Sequence, residues 1–384
     1  MTLKRNEILG ICLIFLGFLV LLVGEITNLE RLYLFNTIYI NQVLMLCTFY
    51  LSLFIIFILN RQSKFIHWLL FLLPISLSLI WSDNYVYGIF KLGNLYISSF
   101  ISLSFFMLAI KLNNLKFFIN TLITMLFFLL FIAIIYKSQV GFFDRNQLFF
   151  LSGPIVFGRL MGVGAALSLI GIHSLKNKIL FSIFTLAVIW TASKGPIIAL
   201  LITWLTYFLF KMSYKEKAFS LFAIFVISIP LINNLNIIQD VGLSRVIDAF
   251  NYMFLGNLDD SVSHSISIRQ SIMYQSIDLF LQNPFFGVGV GGWAANISNE
   301  GLIYPHNFFL EVFSEGGLLL GGLFCVPYVI FLLKPNSVLF YAVLFLLISQ
   351  LFSGDILDSR YWLVFSILSF VFYRYNYFII NRIR

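Results

Sequence analysis

Apolar residues run along this chain in long blocks separated by short polar breaks. A block of about 17 to 25 such residues can cross a bilayer as a helix. Blocks of this kind fall near 7–24, 36–59, 65–81, 86–111, 118–136, 155–173, 178–192, 196–211, 218–232, 307–332, 337–352 and 361–379. The last part of that run before 218 is divided at "TASKGP" (191–196). A single helix over 178–211 would extend roughly 50 Å, well beyond a hydrocarbon core of about 30 Å. The pattern predicts an all-α polytopic membrane protein with about twelve transmembrane helices.

Charge placement tests that count. With the N-terminus inside, the inside segments hold 15 of the 24 Lys and Arg. The remainder holds the other nine together with 14 of the 16 carboxylates, which is the positive-inside pattern. Both termini are then cytoplasmic. One segment differs from the rest: residues 233–306 form a long extramembrane stretch on the outer side, between the ninth and tenth spans. Within it, "LSRVIDAFNYMFL" (243–255) and "ISIRQSIMYQSIDLFLQ" (266–282) carry helical spacing, the first of them amphipathic. The organisation is therefore spans one to nine over 1–232, the loop over 233–306 and three more spans over 307–384, integrated as one membrane domain.

Composition agrees with this reading. Charged residues make up 10% of the 384 positions and hydrophobic ones 60%, with a mean hydropathy of +0.97. A soluble domain carries roughly a quarter of its residues charged. The net charge of +8 is spread over inside loops rather than gathered in a stripe, so no nucleic-acid partner is implied. Cys12, Cys47 and Cys325 each sit in apolar runs, placed neither for a disulfide nor for a metal. The opening "MTLKRNEILGICLIFLGFLVLLVG" resembles a signal peptide, but no A-x-A-like site follows before "EITNLER", and it reads as a retained first helix.

An ionisable side chain at membrane depth is costly and marks a functional candidate. On the outer side these are Arg159 in "VFGRLMG", Lys194 in "TASKGP", Arg269 in "SISIRQ" and His306 in "YPHNFFLEVFSEGG". Glu311 and Glu315 follow His306 at i, i+4 on one helix face, where pairing with cations of the bundle is the plainer reading. Taken singly, Arg159 and Lys194 could snorkel to the interface, Arg269 could be a solvated loop charge and His306 a cap. Taken together, several cations and a base on one face suit a diphosphate leaving group attacked by a hydroxyl. Asp259-Asp260 in "NLDDS" reads as a solvated pair rather than a metal site.

The stretch "NPFFGVGVGGW" (283–293) matches the dinucleotide-binding expression at Gly287, Gly289 and Gly292, with Glu311 about twenty residues on. Context excludes that reading. The motif needs a strand before it and a βαβ unit around it. Here a helix precedes, Asn283-Pro284 intervenes, and a membrane re-entry at Pro305 comes before Glu311. The glycines are expected to form a side-chain-free turn, either close to a bulky ligand or purely structural.

Four segments carry a resemblance to the O-antigen ligase and O-antigen polymerase family of bacterial envelope membrane proteins. They are "FGRLMGVGAALS", "TASKGPIIALLITW", "SIRQSIMYQSIDLFLQNPFFGVGVGGW" and "YPHNFFLEVFSEGGLLLGG", the last two fairly specific in order and spacing. The resemblance runs from about 155 to 325 in motifs and over the whole chain in topology. It implies a protein of the bacterial inner membrane with its active site facing the periplasm, where 233–306 becomes a periplasmic loop. The implied donor is an undecaprenyl-diphosphate-linked glycan, passed to an acceptor sugar with no metal and no nucleotide cofactor. His306 would be the base, with Arg269 and Lys194 on the diphosphate and Arg159 assisting. Arg245, Asn307, Glu311, Gly287 and Gly289 would contact substrate. Membrane lipid, and a chain-length regulator or flippase of the same pathway, are the implied partners. The sequence departs from the family pattern in having Lys194 where arginine is commoner, and in glycines after Glu315 shifted by about one position. Repeat-unit polymerase is the leading expectation and ligase the alternative. A flippase or transporter is the reading from another class, though it expects mid-membrane charges and two related halves.

Overall fold

The computed structural model describes residues 5–22, 33–34, 38–39, 71–142, 144, 149, 153–171, 174–218, 260–297, 304–332 and 337–383. Among them the chain is helical apart from a two-residue antiparallel ladder, β1 (Tyr33–Leu34) with β2 (Ile38–Tyr39). That ladder occupies the start of the block expected to be a helix at 36–59. The rest of that block, the span at 218–232 and the amphipathic stretch at 243–255 lie outside the described residues.

The helices are α1 (Arg5–Leu22), α2 (Leu73–Leu77, continued as a 3₁₀ turn to Trp81), α3 (Tyr85–Leu112), α4 (Leu115–Val140), α5 (Pro154–Ser168), α6 (Leu175–Trp190) and α7 (Lys194–Lys211). After them come α8 (Asp260–Gln282), α9 (Gly292–Asn296), α10 (Phe308–Gly316), α11 (Gly322–Leu332), α12 (Phe340–Ser353) and α13 (Ser359–Ile383). Among the described residues, five stretches are long and apolar enough to cross a membrane: α1, α3, α4, α7 and Phe308–Leu332. The expected break at "TASKGP" is present, with α6 ending at Trp190 and α7 starting at Lys194. The block at 307–332, expected as one helix, is two helices joined by a widened turn over Gly317–Gly321.

Two compact units make up the chain, and their boundaries fall inside α4 and α8. One contains residues 1–125 and 269–384, the other residues 126–268. In the first unit α1 packs along α3 through small residues. A Cβ on Gly17 would lie 2.7 Å from the Phe106 ring, and the Ser102 hydroxyl donates to the Gly17 carbonyl at 2.9 Å. Without a hydrophobic force between helices in lipid, such close approach is what holds them. Around α10 and α11, Phe308 meets Trp362, Phe324 and Tyr328, and Tyr328 stacks on Trp362. In the second unit α5 packs on α6 and α7, with Gly164 against the Phe184 ring and Gly158 against Thr191 and Pro196. Phe142, Phe149 and Phe157 surround Trp190, whose indole N–H donates to the Phe142 carbonyl at 2.8 Å.

Candidate active site

The first unit assembles its chemistry around the two ends of short helices. Asn307 caps α10, its side-chain oxygen accepting from the Phe309 and Leu310 amides at 3.0 and 3.2 Å. This satisfies amides that a helix start leaves without partners. The same side chain donates through Nδ2 to the Leu351 carbonyl at 3.0 Å. On the neighbouring carbonyl, that of Phe352, Arg269 Nη1 donates at 3.4 Å. The last carbonyls of α12 have no partners within their own helix, so they collect a cation from α8 and the cap of α10.

His306 sits directly before that cap, half-buried, with φ at +54°. A non-glycine residue in this region is held at a cost, and such positions gather at functional sites. Its ring lies edge-on to Tyr304, with centroids 4.5 Å apart. Tyr304 is also close enough to Arg269 to bear on its charge. Arg269, Tyr304, His306 and Asn307 thus form a rim at one end of the unit.

Beneath the rim lies a closed ionic cluster. Lys91, two turns into α3, is buried, and its ammonium donates to Glu311 Oε1 at 2.5 Å and to both oxygens of Glu315 at 3.0 and 3.1 Å. The i, i+4 spacing of the two acids lets one cation meet both. Glu311 Oε2 accepts the Ile356 amide at 2.6 Å, from the turn between α12 and α13. The Glu315 carboxylate accepts the amides of Gly291 and Trp293. Glu311 therefore points inward, into the ion pair that was its plainer reading, with both oxygens engaged by the protein. Asp355, in the same turn, is buried and accepts from the Asp358 amide at 2.5 Å. Burial, then the nearby charges of Asp358 and Glu311, push its carboxyl up to about 8.

The glycine segment proves to be a patch for the broken helix. A continuous helix would bond the Leu318 and Leu319 amides to the carbonyls of Ser314 and Glu315. At the break those four groups turn to another part of the chain. The Ser314 and Glu315 carbonyls accept from Val288 and Gly289 at 3.0 and 2.8 Å, and the Leu318 and Leu319 amides donate to Pro284 and Phe285 at 2.8 and 3.1 Å. Irregular backbone within an apolar span is tolerated where protein satisfies it in this way. Side chains have no room in this seam. Gly287 and Gly317, at φ +66° and +62°, each abut the backbone of the other segment, at Glu315 and at Phe285. On the other side, a Cβ on Gly289 would lie 2.6 Å from the Ser78 carbonyl oxygen, and one on Gly291 2.6 Å from that of Asn84. Ser78 and Ser82 hold Val290 by its amide and its carbonyl, and Asn296 donates to Asp83 at 2.7 Å.

Of the other expected residues, Arg159 and Lys194 belong to the second unit. Arg159 is 4% exposed on α5, between glycines, and Lys194 opens α7 half-buried. Ala192, two residues before Lys194, takes φ +48°. Arg245 lies outside the described residues. Among the described residues, no group of three His, Cys, Asp or Glu is placed to hold a metal ion. Sequence reasoning passed over Lys91 and Tyr304. A lysine inside the apolar block 86–111 was the available signal for Lys91, given two acids on one helix face in need of a cation. Tyr304 carried no such signal, since an aromatic residue in a loop is common.

A helical multi-pass membrane protein with a histidine–arginine rim is the class these features define. Residues 179–325 match the family model described as O-Antigen ligase, a stretch running from α6 through Arg269 and His306 to α11. The match supports the resemblance to the O-antigen ligase/polymerase family over that stretch. No curated protein matches it.

Proposed function

We propose that the protein transfers a glycan from an undecaprenyl-diphosphate carrier to a sugar hydroxyl, joining repeat units of an O-antigen or capsule. The observation that carries this reading is that Arg269 and Asn307, the residue after His306, donate to adjacent carbonyls at the end of α12. In the proposed step His306 takes the proton of the acceptor hydroxyl. The freed oxygen bonds to the anomeric carbon, and the bond from that carbon to the diphosphate breaks. Its electron pair leaves on the carrier diphosphate, where Arg269 offsets the charge. The amide end of α10, which begins beside His306, adds a positive field at the same place. By the resemblance alone, Lys194 would act on the diphosphate with Arg159 assisting, and Arg245 would contact substrate. Lys194 supplies charge without the bidentate fork of arginine.

The charge bias of the loops supports a cytoplasmic location for both termini, and so a site on the periplasmic face of the bacterial inner membrane. The hydrogen bonds joining Ser82 and Asp83 to Val290 and Asn296 support one face for the outer segments of the first unit. Gly287, Gly289 and Glu311 are proposed to act by holding the rim from below. The test is reconstitution in vesicles with a lipid-linked repeat unit as both donor and acceptor. A ladder of lengthened carrier-linked glycan is expected, and a protein that moves the substrate across the bilayer without lengthening it would refute the reading. The description of the matched family favours a second reading, a ligase that passes finished polymer to lipid A–core or protein. It predicts product only when that acceptor is added.

A further inference from the structure

We propose that the buried pair of Lys91 with Glu311 is a positioning device for the transfer reaction, setting the distance between Arg269 and His306. The inference rests on the glycosyl-transfer reading above. Glu311 is where the two halves of the rim are tied together. Going back along α10 by one turn, its amide bonds at 3.1 Å to the carbonyl of Asn307, the cap and the residue after His306. Going across, its Oε2 holds the Ile356 amide, four residues from the Phe352 carbonyl that receives Arg269. Its remaining oxygen, Oε1, is fixed by Lys91, which is in turn held by Glu315. Glu315 receives the Gly291 and Trp293 amides, so the cluster is braced against the glycine segment and cannot slide along α3.

Stability alone gives little reason for this arrangement. Buried ion pairs are commonly replaced by apolar residues at no loss of stability. A carboxylate that accepts a backbone amide while pinned by an ammonium gives instead a fixed geometry between two segments. Errors of about 1 Å in the placement of reacting groups cost on the order of 100-fold in rate. Lys91 and Glu311 are both buried away from the surface, so they act through Arg269 and His306.

The test uses the full-length protein in vesicles. Glu311→Gln keeps an amide acceptor and leaves Lys91 with Glu315 as a balanced pair. The triple variant Lys91→Met/Glu311→Gln/Glu315→Gln removes every charge of the cluster. In each we expect the melting temperature to stay within about 3 °C of wild type. The kcat should fall at least about ten-fold, with KM for the lipid-linked donor moving less than about three-fold. Arg269→Ala should then cost much less in the Glu311→Gln background than in wild type, because its geometry is already lost. A folded variant with wild-type kcat, or an undiminished Arg269→Ala penalty, overturns the proposal. Loss of folding in both variants assigns the cluster to stability alone and overturns it equally. Absence of transfer by the wild-type protein would instead sink the functional reading on which the inference rests.

Discussion

Two layers at one end of the first unit differ in how they are built. The rim of Arg269, Tyr304, His306 and Asn307 is partly exposed, and Arg269 and Asn307 reach the end of α12 through one hydrogen bond each. The layer below is closed: Lys91, Glu311 and Glu315 are at most 1% exposed, and the glycine seam makes four cross-segment backbone bonds. Binding and catalytic groups need access and some freedom, whereas the scaffold that aims them gains from redundancy. The contrast gives the proposed chemistry to the upper layer and, in the lower, stability to the glycine seam and positioning to the Lys91 cluster. Substitutions can separate the two.

The largest effect is expected at His306. His306→Gly removes the proposed base and relieves a residue held at positive φ. Transfer should fall by about 10²- to 10⁴-fold, while the melting temperature is no lower than that of wild type. A glycine variant that stays active would remove His306 from the chemistry. Gly287→Ala should do the reverse, because its Cβ would enter the Glu315 backbone from a left-handed conformation. A loss of roughly 3 kcal/mol or more is expected, visible as reduced folded protein in detergent. Wild-type stability in this variant would mean the seam is looser than its geometry states.

Smaller effects sharpen the boundary between the layers. Asn307→Ala removes a cap and the tie to Leu351, and should cost about 1 kcal/mol in stability together with a measurable drop in kcat. The smallest is a pH effect at Asp355, whose carboxyl is raised to about 8 in the folded protein. A group whose pKa rises on folding holds its proton more tightly in the native state. Its contribution is complete below its unfolded pKa and declines as pH climbs toward about 8. Wild-type protein should therefore melt a few degrees lower at about pH 8 than at about pH 6, and Asp355→Asn should flatten that slope. An equal slope in both proteins would assign the pH dependence to other groups.

Much of the upper layer was legible in the sequence. Arg269, His306 and Asn307 stand out because polar residues flanking apolar blocks are costly unless used. The break at "TASKGP" was legible too, since Gly195 and Pro196 stand beside polar residues there. The break at Gly316–Gly317 was not. Apolar residues continue through "GGLLLGG", and hydropathy does not register whether a backbone bond is made within the helix or to another segment. For the same reason the glycines of 287–292 invited a nucleotide reading. Their spacing is a local pattern, whereas their role depends on which backbone lies against them.

The sequence by itself determined a helical membrane protein, a family resemblance and a set of candidate residues for a transfer reaction. Each of these follows from composition, apolar block length or motif, all of which are properties of neighbouring positions. Tertiary structure decided which groups meet. Lys91 finds Glu311 across 220 positions of sequence, and the severed turn of the 308–332 segment finds its partners at 284–289. A buried charge or an unpaired backbone group must be satisfied wherever the fold brings a partner, and no local pattern records that partner's address.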